Sequence, residues 1–221
     1  DPRYELPKCI VIWGYNIPNT CPDNIFGHWF IDLMKRGVEI VCMDPRLTWF
    51  SSRAKHWLRL RPGTDGALAM GFLNTIISED LYDHGFVERW TNAPFLIRKD
   101  TGKLLRESDL IKGGCRDNFV IWDSAGNHAA VWQSGKAAAA AGNPKPSLSG
   151  RHTLELADGT KVECGTAWDA FCAEVEQYPL DRVAEITWVP KKEIQAAARF
   201  FAQSKPAAIH WGLPIDSTPG I

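Results

Sequence analysis

The chain has 221 residues, enough for one large domain or two small ones, and its 45% apolar content suits a globular core. With 25 basic against 26 acidic residues, no overall field exists that would hold nucleic acid; a local patch is all that stays open for such a role. No run of about 18 apolar residues occurs, so no membrane-spanning segment is expected, while the 10 tryptophans call for a substantial core or interface.

The elements follow a pattern. "KCIVIWG" (8–14) is a continuous apolar run ending at glycine, the mark of a strand covered on both faces of a parallel sheet. Pro22-Asp23 opens a helix in which Ile25, Trp29, Ile31, Leu33 and Met34 form the apolar set and Gly37 the C-cap. "VEIVCMD" (38–44) is a second buried strand, completing a β-α-β unit with a right-handed crossover. "TWFSSRAK" reads as a short helix or turn and "HWLRLRP" (56–62) as a third strand. A helix is predicted over 64–80, capped by Thr64 or Asp65, with Leu68, Phe72, Leu73, Ile76 and Ile77 on one face. "YDHGFVERW" is another short helix.

Between about 95 and 165 the character changes. "FLIRKDTGKLLRES", "FVIWDSAGNHAAVW" and "HTLELADGTKVECG" each place two short strand-like runs around a turn signal, so three hairpins are expected. "GKAAAAAGNPKPSLSG" (135–150) reads as a mobile low-complexity connector. The α/β pattern then returns with helices in "AWDAFCAEVEQY", "PLDRVAEITW" and "PKKEIQAAARFFAQS", followed by "KPAAIHWG" (205–212) as a further buried strand. The fold class is therefore α/β: a Rossmann-like parallel sheet flanked by helices, with a β-hairpin-rich insertion, in a single cofactor-binding domain over 1–221.

Three strands end in loops whose residue types suit a nucleotide, because ligands of open α/β sheets bind beyond the carboxyl ends of the strands. Gly14 lets backbone approach a phosphate, and Thr20 and the amides around it can donate to phosphate oxygens. Asp44 stands where an acid can meet ribose hydroxyls, and Arg46 can pair with phosphate or stack on a base. The Asp65 carboxylate can accept the two N–H groups on the edge of guanine. Against this, Asp44 and Asp65 can each be no more than a helix cap, Arg46 a solvated charge, and Gly14 and Gly63 plain turn glycines. G-x-G-x-x-G and the phosphate-binding Gly-Lys-[Ser/Thr] ending are both absent. The six histidines form no catalytic group in sequence. The six cysteines include no C-x-x-C pair, so no zinc or iron–sulfur site is expected from this chain, and Cys9 and Cys42 read as small buried hydrophobes.

The order of the motifs goes further than any one of them. "VIWGYNIPNT", then "VCMDPRLTWFSSRAKHWLRLRPGTDGALAMGFLNTIISEDLYD", then "ITWVPKKEIQAAARFFAQSKPAAI" together resemble the molybdopterin oxidoreductases of the dimethyl sulfoxide reductase family, over residues 8 to 95 and about 166 to 216. The wording "GHWFIDLMKRG" and "DPRLTWFSSRA" is most similar to the branch holding acetylene hydratase and the catechol dehydroxylases. The resemblance implies a domain gripping one of two molybdopterin guanine dinucleotides that carry molybdenum or tungsten. It assigns Gly14, Tyr15, Asn16, Asn19 and Thr20 to the diphosphate and ribose, Met43, Asp44 and Arg46 to the guanosine, and Leu60, Gly63 and Asp65 to the guanine. Asn19 departs from an acid found in some relatives. It further implies a [4Fe–4S] cluster and a protein ligand to the metal before residue 1, and a second dinucleotide held by a domain after residue 221. On that reading the chain is a piece of a longer enzyme, inactive and metal-free by itself. Its partners are the remaining domains and an electron-transfer iron–sulfur protein of the same complex. Both the bacterial cytoplasm and export to the cell-envelope side stay open. Two rivals remain at this point: a non-catalytic nucleotide-binding or interaction domain, and an NAD-dependent enzyme.

Overall fold

The computed structural model describes residues 5–20, 25–132 and 144–217. The chain divides into two compact units, Asp1–Tyr82 with Val175–Ile221, and Asp83–Glu174.

The first unit begins with β1 (Cys9–Trp13), the single turn α1 (Ile17–Thr20), α2 (Ile25–Lys35), β2 (Glu39–Met43), a 3₁₀ turn at Ser51–Arg53, β3 (His56–Leu58) and α3 (Asp65–Ser78). The apolar run of β1 splits by residue parity. Cys9 and Val11 join a cluster with Leu68, Phe72, Val183 and Ile194, whereas Ile10 and Ile12 join one with Phe30, Val38 and Phe50. Alternate side chains of a strand point to opposite faces, so an unbroken apolar run is what a sheet covered on both sides requires.

Helix α2 turns only part of its apolar set inward. Gly27 and Phe30 are buried, with Leu33 and Met34 packed beside them, while Ile25 and Trp29 are exposed. At 100° per residue, positions 27, 30 and 34 share one side and 25 and 29 lie opposite. The expected start at Pro22-Asp23 lies outside the described residues. Gly37 takes a φ of +92° after α2, as a helix-ending glycine should. In α3 the buried set is Leu68, Gly71, Phe72 and Thr75, an i, i+3, i+4, i+7 stripe; Leu73, Ile76 and Ile77 are partly exposed. A Cβ on Gly71 would lie 2.9 Å from Val183 Cγ1, so glycine here sets how closely the neighbouring helix packs.

The second unit holds α4 (His84–Trp90), β4 (Leu96–Arg98), α5 (Glu107–Leu110), β5 (Phe119–Asp123), β6 (His128–Trp132), β7 (Arg151–Glu155), β8 (Lys161–Thr166) and α6 (Ala167–Glu176). All three turn signals fold back on themselves. β5 pairs antiparallel with β6 and β7 with β8, while β4 returns through a turn closed by Arg98 N–H to Lys103 O and a bridge between Ile97 and Leu104. β4, β8 and β7 form one sheet around Leu96, Leu105, Val120, Val162 and Cys164. Residues 133–143, which take in most of the predicted connector, lie outside the described residues; beyond them, Lys145 is tied by its N–H to Asp123 and Ser147 by its N–H to Trp122 O.

The chain returns to the first unit with α7 (Leu180–Thr187), α8 (Lys191–Gln203), β9 (Ala207–Trp211) and α9 (Leu213–Ser217). The four strands of this unit are all parallel, in the order β3-β2-β1-β9. β9 is not the buried strand its apolar run implies: Ile209 and Trp211 are about half exposed. It stands at the sheet's edge, where apolar character does not require cover on both faces. Among the described residues no helix is long and apolar enough to cross a membrane.

Candidate functional site

Parallel registry aligns the strand ends in one row, Leu58–Met43–Trp13–Trp211. The next residues extend the ladder: Gly14 N–H donates to Met43 O at 2.8 Å, Asp44 N–H to Leu58 O at 3.3 Å and Gly212 N–H to Trp13 O at 2.9 Å. Gly14 has φ +58°, and a Cβ on Gly212 would be driven against the Gly14 carbonyl oxygen. The two glycines thus let the loops after β1 and β9 close on each other at this edge.

Around this row the predicted residues sort themselves. The backbone oxygen of Asn16 accepts the N–H groups of Asn19 and Thr20 and the Thr20 hydroxyl, each at 3.1 Å, which winds α1. The Asn16 side-chain oxygen is buried with no hydrogen-bond partner among the described residues. Asn19 and Thr20 are exposed. Tyr15 packs inward, its ring 4.3 Å from that of His210 and 6.4 Å from Phe30. Met43 and Leu60 are core residues, so any ligand would meet them through backbone.

Asp44 is 2% exposed, accepts the Arg46 N–H at 2.8 Å, and lies 3.7 Å from Arg46 Nε. It is therefore no helix cap but the brace of its own loop, which leaves the Arg46 side chain 74% exposed at the edge. Its backbone oxygen accepts the Trp57 indole N–H at 2.9 Å. Gly63 has φ +78° with open space where a side chain would stand.

Asp65 is not a cap either. Thr64 holds the N-cap position of α3, and its hydroxyl donates to Arg61 O at 2.6 Å rather than capping the helix. Asp65 is the first helical residue, 8% exposed, and its Oδ1 accepts the Trp13 indole N–H at 2.7 Å. A carboxylate in the first turn also sits favourably against the helix dipole. Asp65 and Trp13 line a cavity of about 290 Å³ with Gly66, Ala69, Ile209, Trp211 and Ile215.

The structure thus brings Gly14, Asn16, Asp44, Arg46, Gly63 and Asp65 to the loops at one sheet edge, while the side chains of Tyr15, Met43 and Leu60 face the interior. Sequence reading missed Trp13, Trp57 and His210. Each takes part in the first unit's core packing, which gives no sign of a second role; strand registry alone pairs Trp13 with Met43 and Trp211. Burial holds the His210 imidazole below its ordinary value. Burial pushes the Cys9 thiol up to about 11 and the Cys42 thiol to about 12, so both behave as apolar packing groups. No cluster of three or more metal-binding side chains occurs among the described residues.

Comparison with known proteins sets these features in a lineage. A family model described as molybdopterin oxidoreductase matches residues 3–214. The alpha chain of perchlorate reductase from Dechloromonas aromatica is 31% identical over 231 residues, covering 93% of this chain and 24% of that protein. The dopamine dehydroxylase of Eggerthella lenta is 27% identical, covering 87% and 26%. The solved structure of acetylene hydratase from Pelobacter acetylenicus superposes with a TM-score of 0.56 at 26% identity, over 95% of this chain and 19% of that one. The chain spans about a quarter of the length of the curated relatives it matches. A parallel sheet with its glycine and acid loops at one edge, matched by such relatives over nearly its whole length, places the chain in the molybdopterin oxidoreductase family, among enzymes of the dimethyl sulfoxide reductase type.

Proposed function

We propose that this chain binds the guanine dinucleotide portion of a molybdopterin cofactor, as the nucleotide-holding domain of a larger molybdenum or tungsten oxidoreductase. The observation that carries the reading is the Asn16 side-chain oxygen. It is buried at the β1 edge, beside the positive-φ Gly14, with no protein donor among the described residues. Buried polar atoms are almost always paired, so an orphaned acceptor in a loop at the ligand-binding edge of a parallel sheet calls for a ligand donor such as a ribose hydroxyl.

The remaining residues fit the same group. The exposed Asn19 can donate to diphosphate oxygens, as can Thr20 by turning its hydroxyl away from the Asn16 carbonyl, and the Arg46 guanidinium, largely exposed beside Asp44, can supply positive charge. Asp44 holds that loop by its bond to the Arg46 N–H. Gly63 leaves room for a base, and the Asp65 carboxylate supplies an acceptor for the guanine N–H edge. When bound, the metal of such a cofactor supplies the redox chemistry; this chain's residues bind and orient its nucleotide end. The relatives from perchlorate reductase and dimethylsulfide dehydrogenase are alpha chains of enzymes built from more than one polypeptide. That supports a catalytic polypeptide whose other domains, together with an electron-transfer iron–sulfur partner, complete the enzyme. Metal identity and substrate belong to those other parts. The NAD-dependent rival gains nothing from a family of molybdopterin enzymes or from a loop without the dinucleotide fingerprint.

Calorimetric titration tests the reading. GDP should bind the chain more tightly than guanosine, because the diphosphate adds charge-assisted contacts, and Asn16→Ala should weaken GDP by about tenfold by deleting the buried acceptor. Absence of GDP binding, or indifference to the Asn16 change, would overturn it.

A further inference from the structure

We infer that Trp13 is a positioning residue that fixes which way the Asp65 carboxylate faces, and so sets the base preference of the nucleotide site. The inference rests on the proposed reading of guanine by Asp65. Two residues 52 apart in sequence meet through one short bond, Trp13 Nε1 to Asp65 Oδ1 at 2.7 Å. Both ends of that bond are held. Trp13 is the last residue of β1, aligned with Met43 on one side and Trp211 on the other, and packed against the core cluster that includes Leu68 and Val11. Asp65 is the first residue of the 14-residue helix α3, which is anchored by Leu68 and Phe72.

An indole N–H is a donor and nothing else, so it demands an acceptor oxygen at the Oδ1 position. That requirement removes the carboxylate's rotational freedom. Among the described residues Oδ2 meets no donor, and Asp65 is one of the residues that line the cavity with Trp13, Gly66 and Trp211. On this inference Oδ2 is the acceptor left over for a base, and its direction follows from the bond that holds Oδ1. Preorganised acceptors discriminate well, because a base lacking the matching N–H groups leaves a partly buried charge unpaired.

For a symmetric carboxylate this orientation is hard to see; for an amide it is not. In Asp65→Asn the Trp13 N–H must take the amide oxygen, which turns the NH₂ group toward the ligand. That edge repels the N–H edge of guanine and can donate to the unprotonated N1 of adenine. Asp65→Asn should therefore not merely erase a preference for GDP over ADP but reverse it, with GDP weakened about tenfold or more. Trp13→Phe keeps an aromatic ring and deletes the donor. In the double variant Trp13→Phe/Asp65→Asn the amide can rotate and offer its oxygen to guanine, so GDP affinity should recover by about threefold or more over Asp65→Asn alone. A structural role for Trp13 would give the opposite, two losses that add.

The experiment is a calorimetric titration of GDP and ADP into the native chain and these three variants, with each variant's folding checked by thermal unfolding. Reversal in Asp65→Asn together with recovery in the double variant supports the inference. If the native chain binds GDP and ADP alike, the reading of guanine by Asp65 falls, and this role with it. If the native chain prefers GDP but Asp65→Asn only levels the preference, or the double variant binds GDP no better than Asp65→Asn, the positioning role alone is overturned. Should Trp13→Phe not fold, the reversal in Asp65→Asn decides by itself, since an unheld amide would level the preference rather than invert it.

Discussion

Two buried acids, Asp123 in the hairpin unit and Asp65 in the parallel-sheet unit, are held in opposite ways. In the hairpin unit Asp123 is 8% exposed, and its Oδ1 accepts the N–H groups of Ala125 and Lys145 at 3.0 and 2.9 Å. Burial pushes its carboxyl up, but those backbone donors, with that of Gly126, outweigh it and hold the group below its usual range. The acid is absorbed by backbone, from its own turn at Ala125 and from the segment that returns at Lys145. In the parallel-sheet unit Asp65 is equally buried, yet its side chain is met by one indole from a distant strand. Asp123 knits a loop, whereas Asp65 keeps acceptor capacity at an edge where loops gather. The difference follows from position: Asp123 sits in a loop where backbone donors gather, as Asp44 does beside the Arg46 N–H, while Asp65 opens a helix and meets a side chain from another strand.

The largest effects should come from the close packing beneath that edge. Leu68 is fully buried between α3 and the sheet, and Leu68→Ala is expected to cost about 3 kcal/mol by urea unfolding. Gly212→Ala would press a methyl against the Gly14 carbonyl and should cost about 2 kcal/mol while weakening GDP, because backbone and not a flexible side chain must move. If the methyl is absorbed without change, the loops after β1 and β9 are looser than their hydrogen bonds indicate.

Smaller changes sharpen the contrast between acids. Asp44→Ala leaves the Arg46 N–H without its acceptor and should cost about 1–2 kcal/mol by the same measurement, with Asp44→Asn recovering most of it. Asp123 makes a prediction in pH. Its folded value is depressed, so its contribution is present above the ordinary carboxylate range and is lost as pH falls through the folded value. Acid unfolding of the native chain should therefore be steeper than that of Asp123→Asn.

The buried thiols act at the other end of the scale. Below the ordinary thiol value of 9 both Cys9 and Cys42 are neutral, folded or unfolded, and their contribution is complete. Between 9 and about 11 for Cys9, or about 12 for Cys42, the unfolded chain ionises while the folded chain does not, so stability falls as pH rises. Urea midpoints across that range should decline less in Cys42→Ala than in the native chain. A chromogenic thiol reagent at neutral pH should label the exposed Cys115 while sparing Cys9, Cys42 and Cys164 until unfolding. The smallest effects belong to exposed ion pairs. Arg199→Ala, opposite Glu79 in the first unit, and Lys99→Ala, opposite Glu163 in the second, should each cost no more than about 1 kcal/mol.

Much of this is legible without coordinates because it is local. An unbroken apolar run ending in glycine specifies β1, Asp-Gly and Ser-Ala-Gly-Asn specify hairpin turns, and the order of loop motifs indicates the family. What escapes is set across long sequence distances. The apolar set of α2 is only partly its inward face: Leu33 and Met34 pack on the core while Ile25 and Trp29, across the helix, stand exposed, because apolar character alone does not say which side meets the sheet. β9 has the composition of a buried strand and sits exposed, since lateral position in a sheet leaves no mark in the strand's own residues. For Asp65 the sequence offers a guanine acceptor or a helix cap. The cap role depends on neighbours and can be weighed from sequence; the Trp13 partner that holds the carboxylate lies 52 residues away and is brought to it by strand registry and helix packing.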